Sequence, residues 1–198
     1  FASPGGSSLE TGSGNDVVFG SPAYDYVYAD IGNDEIHGGG GDDHLGGQEG
    51  DDNISGDAGN DWMGGGAGTD VLTGGTGSDV LDGGPGNDVL DGGADQDTAS
   101  YEAAVTAVNV SLATGKAYGG VGNDILVDIE SLLGGSAGDT LSGNEADNTL
   151  VGNGGNDTLD GGAGNDLLQG SDGDDLLIGK AGNDIIDGGE GVDTVGYR

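Results

Sequence analysis

An aspartate recurs every nine residues along the first half of the chain, at Asp16, Asp25, Asp34, Asp43, Asp52, Asp61, Asp70, Asp79, Asp88 and Asp97. A second run at the same interval reads Asp139, Asn148, Asp157, Asp166, Asp175, Asp184 and Asp193. Two residues before most of these stands a glycine: Gly32, Gly41, Gly50, Gly59, Gly68, Gly77 and Gly86 in the first run, Gly155, Gly164, Gly173 and Gly182 in the second. Two residues after stands an apolar side chain such as Ile36, Leu72 or Leu159. Carboxylates repeated beside glycine carbonyls form a hard oxygen donor set, which suits calcium with its tolerance for about six to eight oxygens. Magnesium demands a tighter octahedron and keeps its water, so it should substitute poorly. Glycine is needed where the turn takes positive φ and where carbonyls must approach an ion.

The elements that position these groups follow from the repeat, as in Gly74-Gly75-Thr76-Gly77-Ser78-Asp79-Val80-Leu81-Asp82. The first six residues read as a turn and the last three as a strand whose central side chain points inward. Two repeats close one coil, and coils stack at about 4.8 Å, so Asp34 sits near Asp16 and Asp52. The expected fold class is all-β: a parallel β-roll, or β-helix solenoid, of nonapeptide repeats in two arrays. Each nonapeptide buries one aliphatic side chain against the entropy of ordering its whole backbone. Stacked carboxylates about 5 Å apart also repel by roughly 3 kcal/mol at an effective dielectric of about 20. The metal-free chain is therefore expected to be unfolded, with divalent cations between stacked turns reversing the balance. If every pair of turns one coil apart makes a site, the two runs hold up to about 13 calcium ions.

Composition narrows the partners. The 198 residues include 49 Gly, 37 Asp plus Glu and 3 Lys plus Arg, for a formal charge of −34, which excludes nucleic acid. So much glycine signals disorder in an aperiodic chain, but here the strict period makes disorder conditional. Cysteine is absent, so neither a disulfide framework nor a thiolate metal site is available. No apolar run is long enough for a membrane span, and no basic-then-apolar leader opens the chain. Because it starts at Phe1 and stops at Tyr197-Arg198 directly after a repeat, the chain reads as an excerpt whose parent supplies flanking domains.

Three segments are expected: a first array over 1–100 with a degenerate N-terminal cap around Leu9, an interblock segment over 101–133, and a second array over 134–198. Within the interblock segment Val108, Val110 and Leu112 alternate with Asn109 and Ser111 as a half-buried strand, and Thr114-Gly115-Lys116 reads as a turn. One further repeat, 119–127, centres on Asp124, a whole number of repeats after Asp97, so 101–118 is expected to form one coil without metal turns. The stretch 128–133 breaks the frame, as a strand with a tight turn or as a short helix. Both arrays close alike, Gly92–Tyr101 resembling Gly188–Tyr197.

These repeats resemble the RTX (repeats-in-toxin) calcium-binding family over nearly all of 11–196. The resemblance implies a right-handed β-roll with calcium between turns, export in unfolded form by type I secretion, and a secreted, extracellular or cell-surface bacterial protein. Ser111-Leu112-Ala113-Thr114-Gly115 and Asp128-Ile129-Glu130 resemble the interblock linkers of such proteins. Some turns depart from the pattern: Gly20-Ser21-Pro22-Ala23-Tyr24-Asp25 and Ala94-Asp95 lack the fourth-position glycine, and Asn148 replaces aspartate. Asp25, Asp97 and Asn148 are therefore left out of the candidate ligands. Those are Asp16, Asp34, Asp43, Asp52, Asp61, Asp70, Asp79, Asp88, Asp139, Asp157, Asp166, Asp175, Asp184 and Asp193, with the turn glycines named above.

Other chemistry is poorly served. An EF-hand needs flanking helices and a glutamate at the end of its loop, neither of which appears. His37 and His44 should face outward on opposite sheets, so they share no zinc or catalytic site, and no serine has an evident base. Tyr26, His44 and Trp62 occupy one repeat position on successive coils, with Tyr28 beside them. This aromatic ladder reads either as cross-strand packing or as a sugar or partner platform. The expected function is a non-catalytic calcium-binding module of a secreted bacterial protein that folds on calcium and stabilises or helps export a larger polypeptide. The alternatives are an adhesin or surface-layer module binding polysaccharide or neighbouring chains, and the C-terminal part of an exported enzyme.

Overall fold

The computed structural model describes residues 8–196, and every regular element among them is a short β-strand. Phe1 and the closing Tyr197-Arg198 lie outside the described residues. Two compact units are present: one runs to Ala99 and adds Asp124–Ile129, the other comprises Ser100–Asn123 and the chain from Glu130 onward. No helix long and apolar enough to cross a membrane occurs among the described residues.

In the first unit one sheet takes the order Ser8–Glu10, Tyr26–Ile31, His44–Glu49, Trp62–Ala67, Val80–Asp82, Thr98–Ser100. The opposite sheet takes the order Val17–Phe19, Glu35–His37, Asn53–Ala58, Val71–Thr76, Val89–Ala94, Gly122–Val127. Neighbours are parallel and in register at one coil's spacing, as in Tyr26↔His44, His44↔Trp62 and Trp62↔Val80, or Val17↔Glu35 and Glu35↔Asn53. This is a β-solenoid of stacked coils. The register follows from the core: Ile36, Leu45, Ile54, Met63, Leu72, Leu81 and Leu90 are fully buried, and a one-residue slip would expose the whole row. Many strands run six residues rather than the expected three, because pairing continues into the turn, as in Gln48↔Gly66 and Glu49↔Ala67. Glycines open most repeats, as at Gly38, Gly56 and Gly74, and lack the Cβ that would hold the coils apart.

The segment between the arrays does not form the expected metal-free coil. Ile125, Leu126 and Val127 stack on Val89, Leu90 and Asp91, and Asp124 accepts the Asp88 amide across 36 residues, so the chain leaves this unit for one coil length and returns in frame. The excursion belongs to the second unit, where Val108–Ser111 and Lys116–Gly119 pair antiparallel as a hairpin. Thr114 N donates to Ser111 O (3.3 Å) and Gly115 N to Leu112 O (3.2 Å), with Gly115 at φ 61°. Lacking the glycine-rich turn of a repeat, this stretch satisfies its backbone by returning locally; Val108 and Val110 are buried, as their alternation requires. The ambiguous 128–133 stretch resolves as a strand, Ser131–Leu133, with Leu132 opposite Leu150.

The rest of the second unit repeats the coil. Thr149–Gly154, Leu167–Asp172 and Ile185–Glu190 follow Ser131–Leu133 in one sheet; Thr140–Ser142, Thr158–Asp160, Leu176–Ile178 and Thr194–Gly196 follow the hairpin in the other. Leu141, Leu150, Leu159, Leu168 and Leu177 fill its core.

Candidate metal centre

Each repeat aspartate lies where the turn enters the strand, and its side chain folds back into the turn. Asp34, Asp43, Asp52, Asp61, Asp70, Asp79, Asp88, Asp157, Asp166 and Asp175 are at most 3 % exposed. Asp16, Asp184 and Asp193 are half-buried. The first carboxylate oxygen, Oδ1, accepts the amide of the equivalent residue one coil earlier. On one edge of the first unit Asp16 N donates to Asp34 (2.7 Å), Asp34 N to Asp52 (2.8 Å), Asp52 N to Asp70 (2.8 Å) and Asp70 N to Asp88 (2.9 Å). On the other edge Asp25 N donates to Asp43, Asp43 N to Asp61 and Asp61 N to Asp79, each at 2.7 Å, and Asp79 N to Asp97 at 2.8 Å. In the second unit the same bonds join Asp139 to Asp157, Asp157 to Asp175 and Asp175 to Asp193, and on the opposite edge Asn148 to Asp166 and Asp166 to Asp184.

The second oxygen is treated differently. Oδ2 of Asp16, Asp34, Asp43, Asp52, Asp61, Asp70, Asp79, Asp88, Asp157, Asp166 and Asp175 is buried and receives no hydrogen bond. Leaving one buried acceptor unsatisfied costs about 1–3 kcal/mol, and more when it is charged. A whole column of such oxygens calls for an external positive partner.

The surroundings of Oδ2 fit a calcium ion. A Cβ on Gly38 would lie 2.6 Å from Asp43 Oδ2 and 2.7 Å from Gly56 O; one on Gly65 would lie 2.5 Å from Asp70 Oδ2 and 2.7 Å from Gly83 O. At these two turns the bare carboxylate oxygen and a carbonyl of the next coil thus flank space that a side chain would fill, although Ala29 stands at the same position before Asp34. Gly50 at φ 140° and Gly173 at φ 143° take the left-handed backbone the sequence called for, and a Cβ there would collide with Gly32 O and Gly155 O. Gly32, Gly41, Gly59, Gly68, Gly77, Gly155, Gly164 and Gly182 share this conformation. Gly86, following Pro85, does not, yet a Cβ on it would still strike Gly68 O. Among the described residues no three His, Asp or Glu side chains converge on one point. Each turn therefore offers its carboxylate together with backbone carbonyls, the mixed oxygen set a large hard cation accepts.

Electrostatics points the same way. Burial, reinforced by neighbouring carboxylates and opposed by the amide hydrogen bonds, pushes Asp43, Asp70 and Asp157 up to about 6. The same causes push Asp61 and Asp88 up to about 7. Burial also raises Asp52, Asp79, Asp139, Asp166 and Asp175.

Three turns differ from the rest. Asp139 accepts Val108 N at Oδ1 (2.9 Å) and Gly135 N at Oδ2 (2.7 Å), so both oxygens are taken. Asp25 Oδ2 accepts Ser21 N (2.6 Å), and Asn148 Oδ1 accepts Asn144 N (2.8 Å). Asp97, by contrast, keeps its place in the column, and Asp95 at φ 89° supplies the left-handed backbone that glycine gives elsewhere.

The residue before each aspartate carries a role the spacing argument did not assign. Asn15 Oδ1 accepts Asn33 N (3.1 Å), Asn33 accepts Asp51 N (3.2 Å) and Asp51 accepts Thr69 N (2.9 Å). Asp42 accepts Asn60 N and Asn60 accepts Ser78 N, while Asp147, Asn156, Asn165 and Asp174 do the same in the second unit. This ladder runs opposite to that of the aspartates, with the later coil donating to the earlier. Its signal was present in pairs such as Asn33-Asp34, Asp42-Asp43 and Asn165-Asp166.

The aromatic ladder forms on one outer sheet: Tyr26 stacks on His44 (centroids 4.8 Å, 10°) and His44 on Trp62 (4.3 Å, 9°). Tyr28 Oη lies 3.0 Å from His44 Nε2 and 3.2 Å from Tyr26 Oη. Hydrogen bonding to Tyr26 and burial raise Tyr28 to about 12, and burial lowers His44. On the opposite sheet Phe19 stacks on His37 (5.0 Å, 4°). Ring faces that a sugar would use are thus largely spent on one another.

The RTX calcium-binding nonapeptide repeat model, of four copies, matches residues 10–45, 38–72, 64–99, 133–168 and 161–195. No curated protein matches the chain.

Proposed function

The chain belongs to the RTX calcium-binding nonapeptide repeat family, and from that premise we propose that it is a calcium-gated folding module of a secreted protein. It stays unfolded where calcium is scarce, folds where calcium is plentiful, and by folding stabilises or helps export the larger polypeptide it belongs to. The observation that carries this reading is the column of buried Oδ2 atoms with no hydrogen bond. A β-roll of this kind is a structural, calcium-binding fold.

Asp34, Asp43, Asp52, Asp61, Asp70, Asp79, Asp88, Asp157, Asp166 and Asp175 would hold the ions with backbone carbonyls of the turns. Half-buried Asp16, Asp184 and Asp193 would do so at the column ends. Calcium, when bound, supplies the positive charge that satisfies these oxygens and offsets repulsion along the stack. The chain's own part is positional: the amide to Oδ1 bond fixes the carboxylates from Asp34 onward, and at most turns glycine keeps a Cβ out of the space beside Oδ2. A net charge of −34 keeps the metal-free chain expanded through self-repulsion, a form suited to passage through a secretion channel.

Circular dichroism during calcium titration tests the reading. The β signal should be absent in chelator, appear with calcium, and respond weakly to magnesium. A full β signal in chelator would overturn calcium-gated folding, and an equal magnesium response would overturn the selectivity.

A further inference from the structure

Thirteen of the repeat turns fall into two conformational classes. In those ending at Asp34, Asp43, Asp52, Asp61, Asp70, Asp79, Asp88, Asp157, Asp166 and Asp175, the second turn residue has φ between 67° and 110°, and Oδ2 of the aspartate takes no hydrogen bond. This holds whether that residue is glycine, as at Gly66, or Asp57, Gln48, Asn153 or Ser171. In the turns ending at Asp25, Asp139 and Asn148 the second residue is Ser21, Gly135 or Asn144. None of these three has a left-handed φ, and each directs its amide at the side chain that closes the turn. Gly135 and Asn144 tolerate the left-handed region well, so residue type does not force the difference.

We infer that these three turns hold no calcium and give their columns metal-free starts, a local amide taking the oxygen that calcium takes elsewhere. The chemistry is exclusive, because an N–H donor aimed at the carboxylate stands where a cation would need acceptors. Asp139 has both oxygens engaged, and Asn148 is uncharged, accepting Asn144 N while its Nδ2 donates to Glu130 O (3.1 Å). Asp25, Asp139 and Asn148 are the first described turns of their columns, but position alone does not decide: Asp16, heading the fourth, has left-handed Gly12 as its second residue and keeps the open form, so the local amide is what closes the other three. The inference removes Asp139 from the ligand set that spacing suggested.

It rests on calcium filling the open turns, and the test separates the two. Native mass spectrometry of the full chain counts bound calcium, and circular dichroism gives the calcium midpoint. Asp25→Asn keeps a side-chain oxygen to accept the Ser21 amide, so it should leave the ion count unchanged and move the midpoint less than about twofold. Asp139→Asn sets its amino group against one of two amides, so it should raise the midpoint while the ion count in saturating calcium stays unchanged. Asn148→Asp should add no ion. Asp61→Asn and Asp157→Asn should each lower the count and raise the midpoint several-fold. A lower count in folded Asp25→Asn or Asp139→Asn, failure of Asp25→Asn to fold in saturating calcium, or a gained ion in Asn148→Asp overturns the metal-free turns alone. An unchanged count in Asp61→Asn and Asp157→Asn overturns the calcium reading itself.

Discussion

Each buried aspartate has two oxygens with separate duties, and substitutions can divide them. Asp70→Ala removes both the acceptor for Asp52 N (2.8 Å) and the bare Oδ2. It should weaken the calcium-loaded fold by about 1–3 kcal/mol, read as a lower melting temperature, and also raise the calcium midpoint. Gly50→Ala acts through the backbone instead. A Cβ at φ 140° would strike Gly32 O, so the variant should melt lower by several degrees even in saturating calcium. Protonation offers a reversible version of the first change. In the metal-free chain Asp61 and Asp88, raised to about 7 from 3.8, favour the folded state only while protonated. That contribution is fully present below pH 3.8 and is lost as pH rises through about 7. Acidifying the chain in chelator should therefore increase its β signal. In calcium the midpoint should rise as pH falls, because protons and calcium compete for the same oxygens.

Between coils, three kinds of ladder share the load. The aspartate ladder serves the metal, whereas the Asn/Asp ladder one residue earlier binds coil to coil without it. Asn60→Ala deletes the acceptor for Ser78 N (2.7 Å) and should destabilise by about 1 kcal/mol while leaving the calcium count unchanged. Trp62→Ala ends the aromatic stack and should destabilise the loaded fold by about 0.5–1.5 kcal/mol. Polysaccharide retention should not change in that variant, since the His44 and Tyr26 faces are already stacked. A loss of retention with unchanged melting would instead make the ladder a binding surface.

At the scale of the molecule, charge separates screening from ligation. Sodium chloride at about 1 M shortens the Debye length to about 3 Å and should shrink the metal-free chain, measurable as a smaller hydrodynamic radius. It should not restore the β signal, because monovalent screening leaves the buried Oδ2 atoms without a ligand. Recovery of the full β signal in salt alone would show that net repulsion, rather than the bare oxygens, keeps the metal-free chain unfolded.

The coil was legible in the sequence because a nine-residue period fixes which side chains face inward, and two such units must close before the next can stack; Ile36 under Ile54 and Leu72 needed only counting. The oxygen chemistry was legible too, since carboxylates and glycines recur at one spacing. Three things were decided only by the folded chain. Residues 108–119 took a hairpin where one coil was expected over 101–118, because pairing Val108–Ser111 with Lys116–Gly119 satisfies the backbone locally, and no pattern of letters ranks that against a bare coil. The turns at Asp25, Asp139 and Asn148 closed on themselves because amide direction depends on φ at the preceding second residue, which the sequence of Gly135 or Asn144 leaves free. Asp97, set aside for lacking its glycine, kept the column geometry because Asp95 could take a left-handed φ once the coil around it required one. The period belongs to the sequence; the orientation of each peptide plane, and so the partner of each carboxylate oxygen, belongs to the packed stack.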